Sequence, residues 1–504
     1  MIIFVWLAAS AWVRPLMLPD EGRYVGVAWE MLRSGDWLTP TLNGLPYFHK
    51  PPLFYWITAS SLSIFGMNEW AARAAPLLGA TLGGVTMFAL VRRWSGEGAA
   101  RATLVALLAQ PLFLIGGQFA NLDMLVAGCM TATIALVAHA ALCAEHRLPY
   151  RGALAAGYAM AAAGLLAKGL IGFVLPVLVV GAWLLWRRQW RVLWAMCSLP
   201  GALLFFAIAA PWFVAMQSKF PDFLDYFFVV QHFKRFASGG FNNVQPFWFF
   251  PVLLFLFFSP WLPWLARLMR RDLLADEKRC ALRLLLLLWL AIFVLFFSMP
   301  KSKLLGYILP AVAPLAALIA VSFVETDTAS GRNRRRWLVT ACLTSIISFG
   351  AIGWLAIQHP KSMRDFGRVM RSQHVPGQPV YMLGNYYFDL PFYSRLLSPV
   401  MIVDAWTSQD IAARDNWRKE LFDAGKFAPL KASLVLIDQP ALPASLCNAK
   451  SAWVLGAATS VTTYPFLASA SMIQSGDGVM LWKVDTHAAE MSKALGCDGG
   501  RGLQ

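Results

Sequence analysis

The chain has 504 residues, of which 58% are hydrophobic and only 14% are charged, and it contains 22 Trp and 35 Phe. A soluble domain could not bury so much apolar surface, so the composition excludes an ordinary soluble enzyme and predicts a polytopic membrane protein. The net charge of +16 does not indicate nucleic-acid binding, because the basic residues form short clusters between apolar runs and no continuous face.

Apolar runs close to the roughly 20 residues that cross a bilayer recur from the N-terminus to about Ile357. We predict spans over 1–18, 71–91, 99–116, 122–143, 152–167, 170–186, 191–216, 246–266, 281–299, 303–323 and 337–357. No basic segment precedes the first run, so we expect a short first span, or a start that is assigned too late in the sequence, and not a cleaved signal peptide. Arginines such as Arg92, Arg187 and Arg334 collect in alternate connections, which the positive-inside rule assigns to the cytoplasm. The N-terminus is then cytoplasmic, and the first loop and the tail lie on the outer face.

The loop over 19–70, between the first two spans, is too apolar to be a free connection. Tyr24 to Leu32 and Pro52 to Phe65 carry aromatic residues at helical spacing, which predicts two interfacial helices on the outer leaflet. A further spanning helix is the alternative, but about 13 residues are too few to cross. Gly35-Asp36-Trp37 and Asn43-Gly44 are typical of turns.

After Gln358 the sequence becomes mixed and polar. A helix is predicted over 361–374, and strands are predicted over 380–383, 400–403 and 434–437, which together indicate a small α/β domain. We therefore divide the chain into a helical membrane domain over 1–357 and a soluble domain over 358–504. We expect the second domain to shape or cover a site. Cys447 and Cys497 share it, and an oxidising compartment would permit a disulfide, although the sequence does not fix their separation.

Basic residues in short outer connections run against the insertion bias and therefore need a reason to be there. These residues are Arg23, Lys50, Lys168, Lys234, Arg235, Lys301 and Lys303. Because the connections open on one face of the membrane, the cations could converge on one anion, and a phosphate at headgroup depth is the natural ligand. The alternative is that each side chain only reaches to lipid headgroups.

Acidic residues on the same face are scarcer. They are Asp20, Glu21, Glu69 and Asp123. We single out Asp20 and Asp123, which lie at the rim of the hydrocarbon. There, burial raises the pKa of a carboxyl group and nearby cations lower it, and a general base requires such a balance. Each could instead cap a helix. We favour the functional interpretation for Asp20 and leave both open for Asp123.

Two histidines also stand beside cations in outer segments. With a carboxylate, His49 and His232 could hold a divalent metal such as Zn, Mg or Mn, but their spacing is not a local metal-binding signature. A lone histidine is more often a hydrogen-bonding residue. The sequence therefore requires no cofactor.

Several segments together match a known pattern. They are Asp20-Glu21-Gly22-Arg23-Tyr24, Pro46-Tyr47-Phe48-His49-Lys50-Pro51-Pro52, Asn121-Leu122-Asp123, Ala167-Lys168-Gly169, His232 with Arg235-Phe236, and Pro300-Lys301-Ser302-Lys303. The set resembles the bacterial aminoarabinose lipid A transferases and the related protein mannosyltransferases, which are polyprenyl-phosphate-sugar glycosyltransferases of the GT-C fold. The resemblance covers the membrane domain and weakens in the tail.

The resemblance implies a GT-C fold with about 11–13 membrane helices in a bacterial inner membrane. It implies transfer of a sugar, such as 4-amino-4-deoxy-L-arabinose, from undecaprenyl phosphate to lipid A or another envelope glycolipid on the periplasmic side, with inversion. Asp20 and Asp123 match conserved acidic positions, and Glu21 joins them as a catalytic candidate. Lys50 and Arg235 would hold the donor phosphate. Relatives usually carry Glu at the position of His49, in some members tied to a metal, so the chain departs from the pattern there.

Three other functions remain as alternatives. Within the same class, the chain could be a protein O-mannosyltransferase-like enzyme. A transporter or flippase of lipid-linked sugars should carry ionisable residues near the middle of several spans or an internal repeat, whereas here the charges gather on one rim. A scaffold that binds a partner through its tail would not need outward-facing cations. The sequence therefore favours the glycosyltransferase.

Overall fold

The structure is a computed structural model that describes residues 1–234, 243–265, 277–326, 331–358, 361–414 and 416–497. Contacts divide the chain into two units: Met1–Arg14 with His49–Gln358, and Pro15–Phe48 with His359–Gln504. The predicted boundary between 1–357 and 358–504 stays a prediction. The contacts add that Pro15–Phe48, which includes the end of the first predicted span and the first part of the loop over 19–70, belongs to the unit that contains the tail.

The first unit is almost entirely helical in its described part. Its α-helices are Ile2–Ala8, Leu53–Phe65, Glu69–Ala72, Ala74–Ser95, Glu97–Ala109, Pro111–Gly116, Leu122–Glu145, Arg151–Lys168, Ile171–Trp186, Trp190–Met196, Leu199–Lys219, Phe249–Phe258, Leu262–Leu265, Glu277–Ser298, Leu309–Thr326 and Arg332–Gln358. A π-helix covers Asp225–Lys234, and 3-10 helices cover Ser259–Trp261 and Leu305–Ile308. Val244 and Ser302 form an isolated antiparallel bridge.

Among the described residues, six helices are long and apolar enough to cross a membrane. They are Ala74–Ser95, Leu122–Glu145, Trp190–Lys219, Cys280–Ser298, Leu305–Glu325 and Arg332–Gln358. Shorter apolar helices cover Leu53–Phe65, Ile171–Trp186 and Phe249–Leu265. The predicted polytopic helical fold is confirmed.

Several of the predicted spans are not single α-helices; the span over 191–216, for example, is divided between Trp190–Met196 and Leu199–Lys219. The first, over 1–18, contains only the short helix Ile2–Ala8. The run over 99–116 is interrupted at Gln110, whose ψ of 123° is extended. Gln110 precedes Pro111, and the proline ring disfavours a helical conformation of the residue before it.

The helix Leu122–Glu145 is one of the two most buried of the six long apolar helices. Its most apolar segment is 83% buried inside the protein, compared with 89% for Leu305–Glu325 and 22% for Arg332–Gln358. Glycines allow a neighbouring helix to approach closely, since a Cβ on Gly128 would lie 2.0 Å from the carbonyl oxygen of Gly79. The N-terminal residues of Leu122–Glu145, including Asp123, are therefore held on a rigid element.

The second unit begins with a helix and a short hairpin. The helix Asp20–Ser34 contains the predicted interfacial segment and ends at Gly35, whose φ is 73°. Strands β1 (Thr41–Leu42) and β2 (Leu45–Pro46) follow, joined by a turn at Asn43 and Gly44, as predicted. The Glu30 carboxylate accepts hydrogen bonds from the backbone N–H groups of Asn43 at 2.6 Å and Gly44 at 2.9 Å. A buried acid thus fixes the turn.

The tail forms a six-stranded sheet with the order β5-β4-β3-β6-β8-β7. The strands are β3 (Val380–Leu383), β4 (Met401–Asp404), β5 (Leu436–Asp438), β6 (Ser451–Ala457), β7 (Ser471–Gly476) and β8 (Val479–Asp485). Strands β5, β4, β3 and β6 are parallel, while β8 and β7 continue the sheet antiparallel. The helices are Arg364–Gln373, Leu390–Ser394, Trp417–Lys426, Pro429–Val435, Leu442–Cys447, Ser460–Thr463 and Ala489–Leu495, with 3-10 turns over Gln409–Ala413, Gln439–Ala441 and Pro465–Ser469.

The α/β character of the tail is confirmed, with shifts at the element ends. The strand over 380–383 matches the prediction, whereas the strand predicted over 434–437 begins only at Leu436, after the helix Pro429–Val435. Cys447 and Cys497 are joined by a disulfide beside the hydrophobic core of the sheet.

Candidate active site

Asp123 stands in the first turn of the membrane helix Leu122–Glu145. Asn121 is the N-cap residue, and its side-chain oxygen accepts the backbone N–H of Asp123 at 3.0 Å. The side-chain amide of Asn121 also donates to Asp123 Oδ2 at 2.9 Å. The capping role that the sequence left open for Asp123 is therefore carried by Asn121, and the Asp123 carboxylate is available for another partner.

That partner is Lys168, the last residue of the helix Arg151–Lys168. Its Nζ pairs with Asp123 Oδ1, and the two side chains are only 12% and 9% exposed. The same ammonium lies 4.5 Å from the centroid of the Tyr307 ring. A Cβ at Gly306 would lie 2.0 Å from Asp123 Oδ2, so only glycine fits there. Two helices thus supply a buried ion pair, and the segment with Gly306 and Tyr307 packs against it. The low dielectric constant of this environment strengthens the attraction between the two charges.

The two lysines predicted beside this region differ from each other. Lys303 is buried, and its Nζ donates to the carbonyl oxygens of Gln245 at 2.9 Å and Pro300 at 2.5 Å. Lys301 is exposed. Lys303 therefore ties together two connections of the membrane unit, while Lys301 faces outward.

The remaining predicted residues of this unit are only partly described. Lys50 is half-buried, and His49 is buried with its ring 6.0 Å from the Tyr226 ring. Arg235 and the side chains of His232 and Lys234 lie outside the described residues. In the part of the chain that the structure describes, no group of three or more His, Cys, Asp or Glu side chains could hold a metal ion. The metal role of His49 with His232 stays a prediction.

A second set of charged residues lies in the other unit. Arg23 pairs through Nη2 with Asp20 Oδ1 and through Nη1 with Glu420 Oε1, and Glu420 Oε2 accepts the Tyr47 hydroxyl at 3.2 Å. Burial alone would lower the pKa of Arg23, but Glu420, Tyr24, Tyr47 and Asp20 outweigh it and raise the pKa well above its usual value. The guanidinium is therefore held charged between two carboxylates.

The two acids that begin this helix have different surroundings. The Asp20 side chain is 33% exposed and so keeps access to solvent. Glu21 is fully buried, and its Oε2 accepts the backbone N–H of Met17 at 3.0 Å. Glu21 thus holds the turn before the helix.

Glu420 is the site residue that the sequence does not single out. It lies in the amphipathic helix Trp417–Lys426, where one acid among several polar residues is typical of a solvated face. Its partner Arg23 is 397 residues earlier in the chain. Only a long-range pairing of the two residues would have indicated it.

Comparison with known proteins shows the family to which the chain belongs. Residues 9–227 match the family of dolichyl-phosphate-mannose-protein mannosyltransferases. Over 440 residues the chain is 31% identical to the undecaprenyl phosphate-α-4-amino-4-deoxy-L-arabinose arabinosyl transferase of Pseudomonas aeruginosa, covering 86% of this chain and 72% of that relative. The chain belongs to this arabinosyl transferase family.

Solved structures extend the similarity to almost the whole arabinosyl transferase chain. The crystal structure of ArnT from Cupriavidus metallidurans bound to undecaprenyl phosphate matches with a TM-score of 0.79 and 27% identity over 97% of each chain. The archaeal oligosaccharyltransferase AglB from Archaeoglobus fulgidus, with a TM-score of 0.51 and 13% identity, shares the fold alone. The chain is thus a multi-pass membrane glycosyltransferase of the GT-C fold, and these predictions are confirmed.

Proposed function

We propose that this enzyme transfers 4-amino-4-deoxy-L-arabinose, or a closely related sugar, from undecaprenyl phosphate to lipid A or another envelope glycolipid. The observation that carries the proposal is the similarity, over 97% of both chains, to an ArnT bound to undecaprenyl phosphate. The relatives that match most of the chain are arabinosyl transferases, whereas the mannosyltransferase family matches only residues 9–227, so a protein acceptor is less well supported.

In the proposed reaction an acceptor oxygen forms a bond to the anomeric carbon of the sugar. The bond from that carbon to the phosphate oxygen breaks, and undecaprenyl phosphate leaves with the electron pair. Because the acceptor attacks on the face opposite the leaving phosphate, the anomeric configuration inverts. Cations aimed at the leaving phosphate supply the largest stabilisation. A phosphate oxygen of lipid A is already nucleophilic, whereas a hydroxyl acceptor would need a base to take its proton.

For the membrane unit we assign the phosphate-binding role to Lys168. An ammonium group has three N–H donors, and Asp123 engages only part of this capacity. Asp123, held by Asn121, orients the ammonium, which can then donate to a phosphate oxygen. Lys50 and Arg235 remain proposed phosphate ligands, together with Lys234 and Lys301.

For the other unit we assign the acid–base role to Asp20, because it is the more exposed of the two acids that pair with Arg23. Glu420 and Arg23 are positioning residues in this proposal. They hold the Asp20 carboxylate in one orientation. Glu21 supports the start of the helix.

We also propose that the protein lies in the inner membrane with its N-terminus in the cytoplasm and its tail in the periplasm. The disulfide between Cys447 and Cys497 supports a periplasmic tail, because disulfides persist in oxidising compartments. Alkaline phosphatase fused to the C-terminus should be active, since it folds only in the periplasm. An inactive phosphatase fusion together with a fluorescent C-terminal GFP fusion would reverse the proposed topology.

The function is tested with the full chain in lipid nanodiscs, supplied with undecaprenyl-phosphate-linked aminoarabinose and lipid A, with product followed by mass spectrometry. The variant Asp123→Asn is expected to lower kcat by about 10²-fold or more. Its control is Glu145→Gln, at the opposite end of the same helix, where Glu145 pairs with Arg187 at 2.9 Å. That variant should retain transfer.

Three results would contradict the proposal. Full activity of a folded Asp123→Asn protein would remove the assigned site. Equal loss in both variants would show a general effect of breaking ion pairs. Transfer from a mannose donor to a protein, with none from the aminoarabinose donor, would favour the mannosyltransferase.

A further inference from the structure

The parallel part of the tail sheet contains a point where the strand order reverses. From β3 the chain moves to β4 and then to β5 on one side, and it returns to β6 on the other side of β3. In open α/β sheets, ligands bind outside the carboxyl ends of the strands at such a point. The crevice between the ends of β3 and β6 is therefore a natural ligand position.

The structure has a cavity of about 360 Å³ at this position. Residues that directly follow β3 and β6 line it, and Gln439 contributes from the end of β5. At Gly384, with φ of 63°, the chain turns away from the sheet while its N–H bonds to Val403 O at 2.9 Å. The cavity is thus a product of the sheet topology.

The lining is rich in neutral hydrogen-bonding groups. Its polar side chains include Asn385, Tyr387, Gln439, Ser460, Thr463 and Tyr464. None of the lining residues that the structure describes is an acid or a base. The hydroxyl and amide groups provide both donors and acceptors, and the two tyrosine rings add flat apolar faces.

The tyrosines add no charge at physiological pH. Burial raises the pKa of Tyr387, against the effect of a hydrogen bond with Asn385. Burial and the nearby Asp404 carboxylate raise the pKa of Tyr464. Because phosphate sites use cationic donors, a lining without cations and with an acid close by does not suit an anion.

We propose that this cavity binds a neutral saccharide, with hydroxyl and amide side chains bonded to sugar hydroxyls and a tyrosine ring against a sugar face. The chemistry of transfer does not need this site, so the inference goes beyond the proposed function. A nucleotide is the less suitable occupant, since the turn after β3, Leu383-Gly384-Asn385-Tyr386, is not a glycine-rich phosphate loop.

The test uses saturation-transfer NMR on the full chain in lipid nanodiscs, which avoids detergents that carry sugar headgroups. The probes are glucose, galactose, N-acetylglucosamine and maltose, with inorganic phosphate as the anionic comparison. We expect transfer to at least one of the sugars and no specific phosphate binding. Transfer to none of the four sugars, or phosphate binding that displaces them, would overturn the proposal.

Two neighbouring threonines supply matched variants. Thr463 lines the cavity, whereas Thr462, also exposed, does not. Thr463→Trp should weaken sugar binding by about 10-fold or more, and Thr462→Trp should leave it unchanged. Gln439→Ala, at an exposed position, gives a second test, because it removes an amide group that is proposed to bond to a sugar hydroxyl and adds no bulk.

A sugar signal could also come from the site of transfer. Asp123→Asn should therefore keep the signal, and Thr463→Trp should keep aminoarabinose transfer while losing the signal. Loss of the signal in Asp123→Asn, or equal signals in the two tryptophan variants, would assign binding elsewhere and overturn the proposal. Because the NMR readout is independent of transfer, an absence of transfer with aminoarabinose would contradict only the proposed function.

Discussion

The two buried clusters of charged residues differ in how far apart their members lie in the sequence. Asp123 and Lys168 are 45 residues apart and stand at the ends of two membrane helices. Arg23 and Glu420 are 397 residues apart, and both belong to the unit that contains the tail. Both members of the first pair lie in sequence motifs and could be selected from the sequence. In the second pair, Glu420 lies in no motif. A substitution in each cluster tests whether the clusters also differ in energy and in function, and two further substitutions test the stability of the unit that contains the tail.

The largest effect is expected for Lys168→Met. This change leaves the Asp123 carboxylate buried without its cation, which costs about 3–5 kcal/mol when a buried pair is broken. Transfer should fall by about 10²-fold or more. Thermal unfolding of the full chain and kcat are the measurements.

The double variant Asp123→Leu with Lys168→Met separates the two effects. It should recover stability, because no charge remains unpaired, while transfer stays lost. Arg187→Met, which breaks the pair at the other end of the helix, should lower stability and preserve kcat. Normal transfer by Lys168→Met would show that the pair of Asp123 and Lys168 is not part of the active site.

Cys447→Ser should lower the stability of the tail sheet by about 3–4 kcal/mol, since the disulfide closes a loop of 50 residues. Unfolding is followed by heat denaturation with and without reductant. Reductant should destabilise the native protein but not the variant, and Cys197→Ser, at an exposed free cysteine, is the control. If reductant has no effect on the native protein, the disulfide does not stabilise the tail.

Asp389 makes the stability of the second unit depend on pH. Burial raises the pKa of its carboxyl from 3.8 to about 7, against hydrogen bonds from Met363 and Ser362 and with a contribution from Glu21. The folded state therefore binds the proton more tightly, and stability falls as pH rises from about 4 to 7 and then levels off. The loss is on the order of 4 kcal/mol, because each pKa unit corresponds to about 1.4 kcal/mol.

Asp389→Asn mimics the protonated form and should remove this decline. The melting temperature of the native protein should be higher at pH 5 than at pH 8, with a smaller difference in the variant. Ser362→Ala keeps the acid and removes one hydrogen bond, so its decline should persist. An equal decline in Asp389→Asn would assign the pH dependence to other groups.

The smallest effect is expected for Glu420→Gln, because Arg23 keeps Asp20 as a partner. We expect a loss of about 1–2 kcal/mol and roughly a 10-fold lower kcat, with little change in KM. Asp423→Asn on the same helix, where Asp423 pairs with an exposed lysine, is the control. A change in stability without a change in kcat would show that Glu420 has only a structural role.

The membrane helices and the first parallel strands could be predicted because their apolar pattern is local. The strand β3 over Val380–Leu383 is one continuous apolar run, which is typical of a buried parallel strand. The strand β6 over Ser451–Ala457 contains glycine, alanine and serine, and it is stabilised by pairing with β3 and β8. Such pairing is not visible in a local pattern.

The site shows the same division. Asp123 and Lys168 were selected because charges at the ends of apolar runs are unusual. The cap at Asn121 and the need for glycine at 306 follow from packing between segments. Glu420 could not be selected, since its partner is distant in the chain.

The distance between Arg23 and Glu420 also sets a time in the synthesis of the protein. The chain grows at about 5–20 residues per second, so roughly 20–80 s separate the appearance of these two residues. Asn43 exchanges hydrogen bonds with the backbone of Val400 at 2.8 Å, and almost as much time passes between the synthesis of these two residues. The segment Pro15–Phe48 is thus made early, but its contacts with Val400 and Glu420 can form only after the tail has been synthesised.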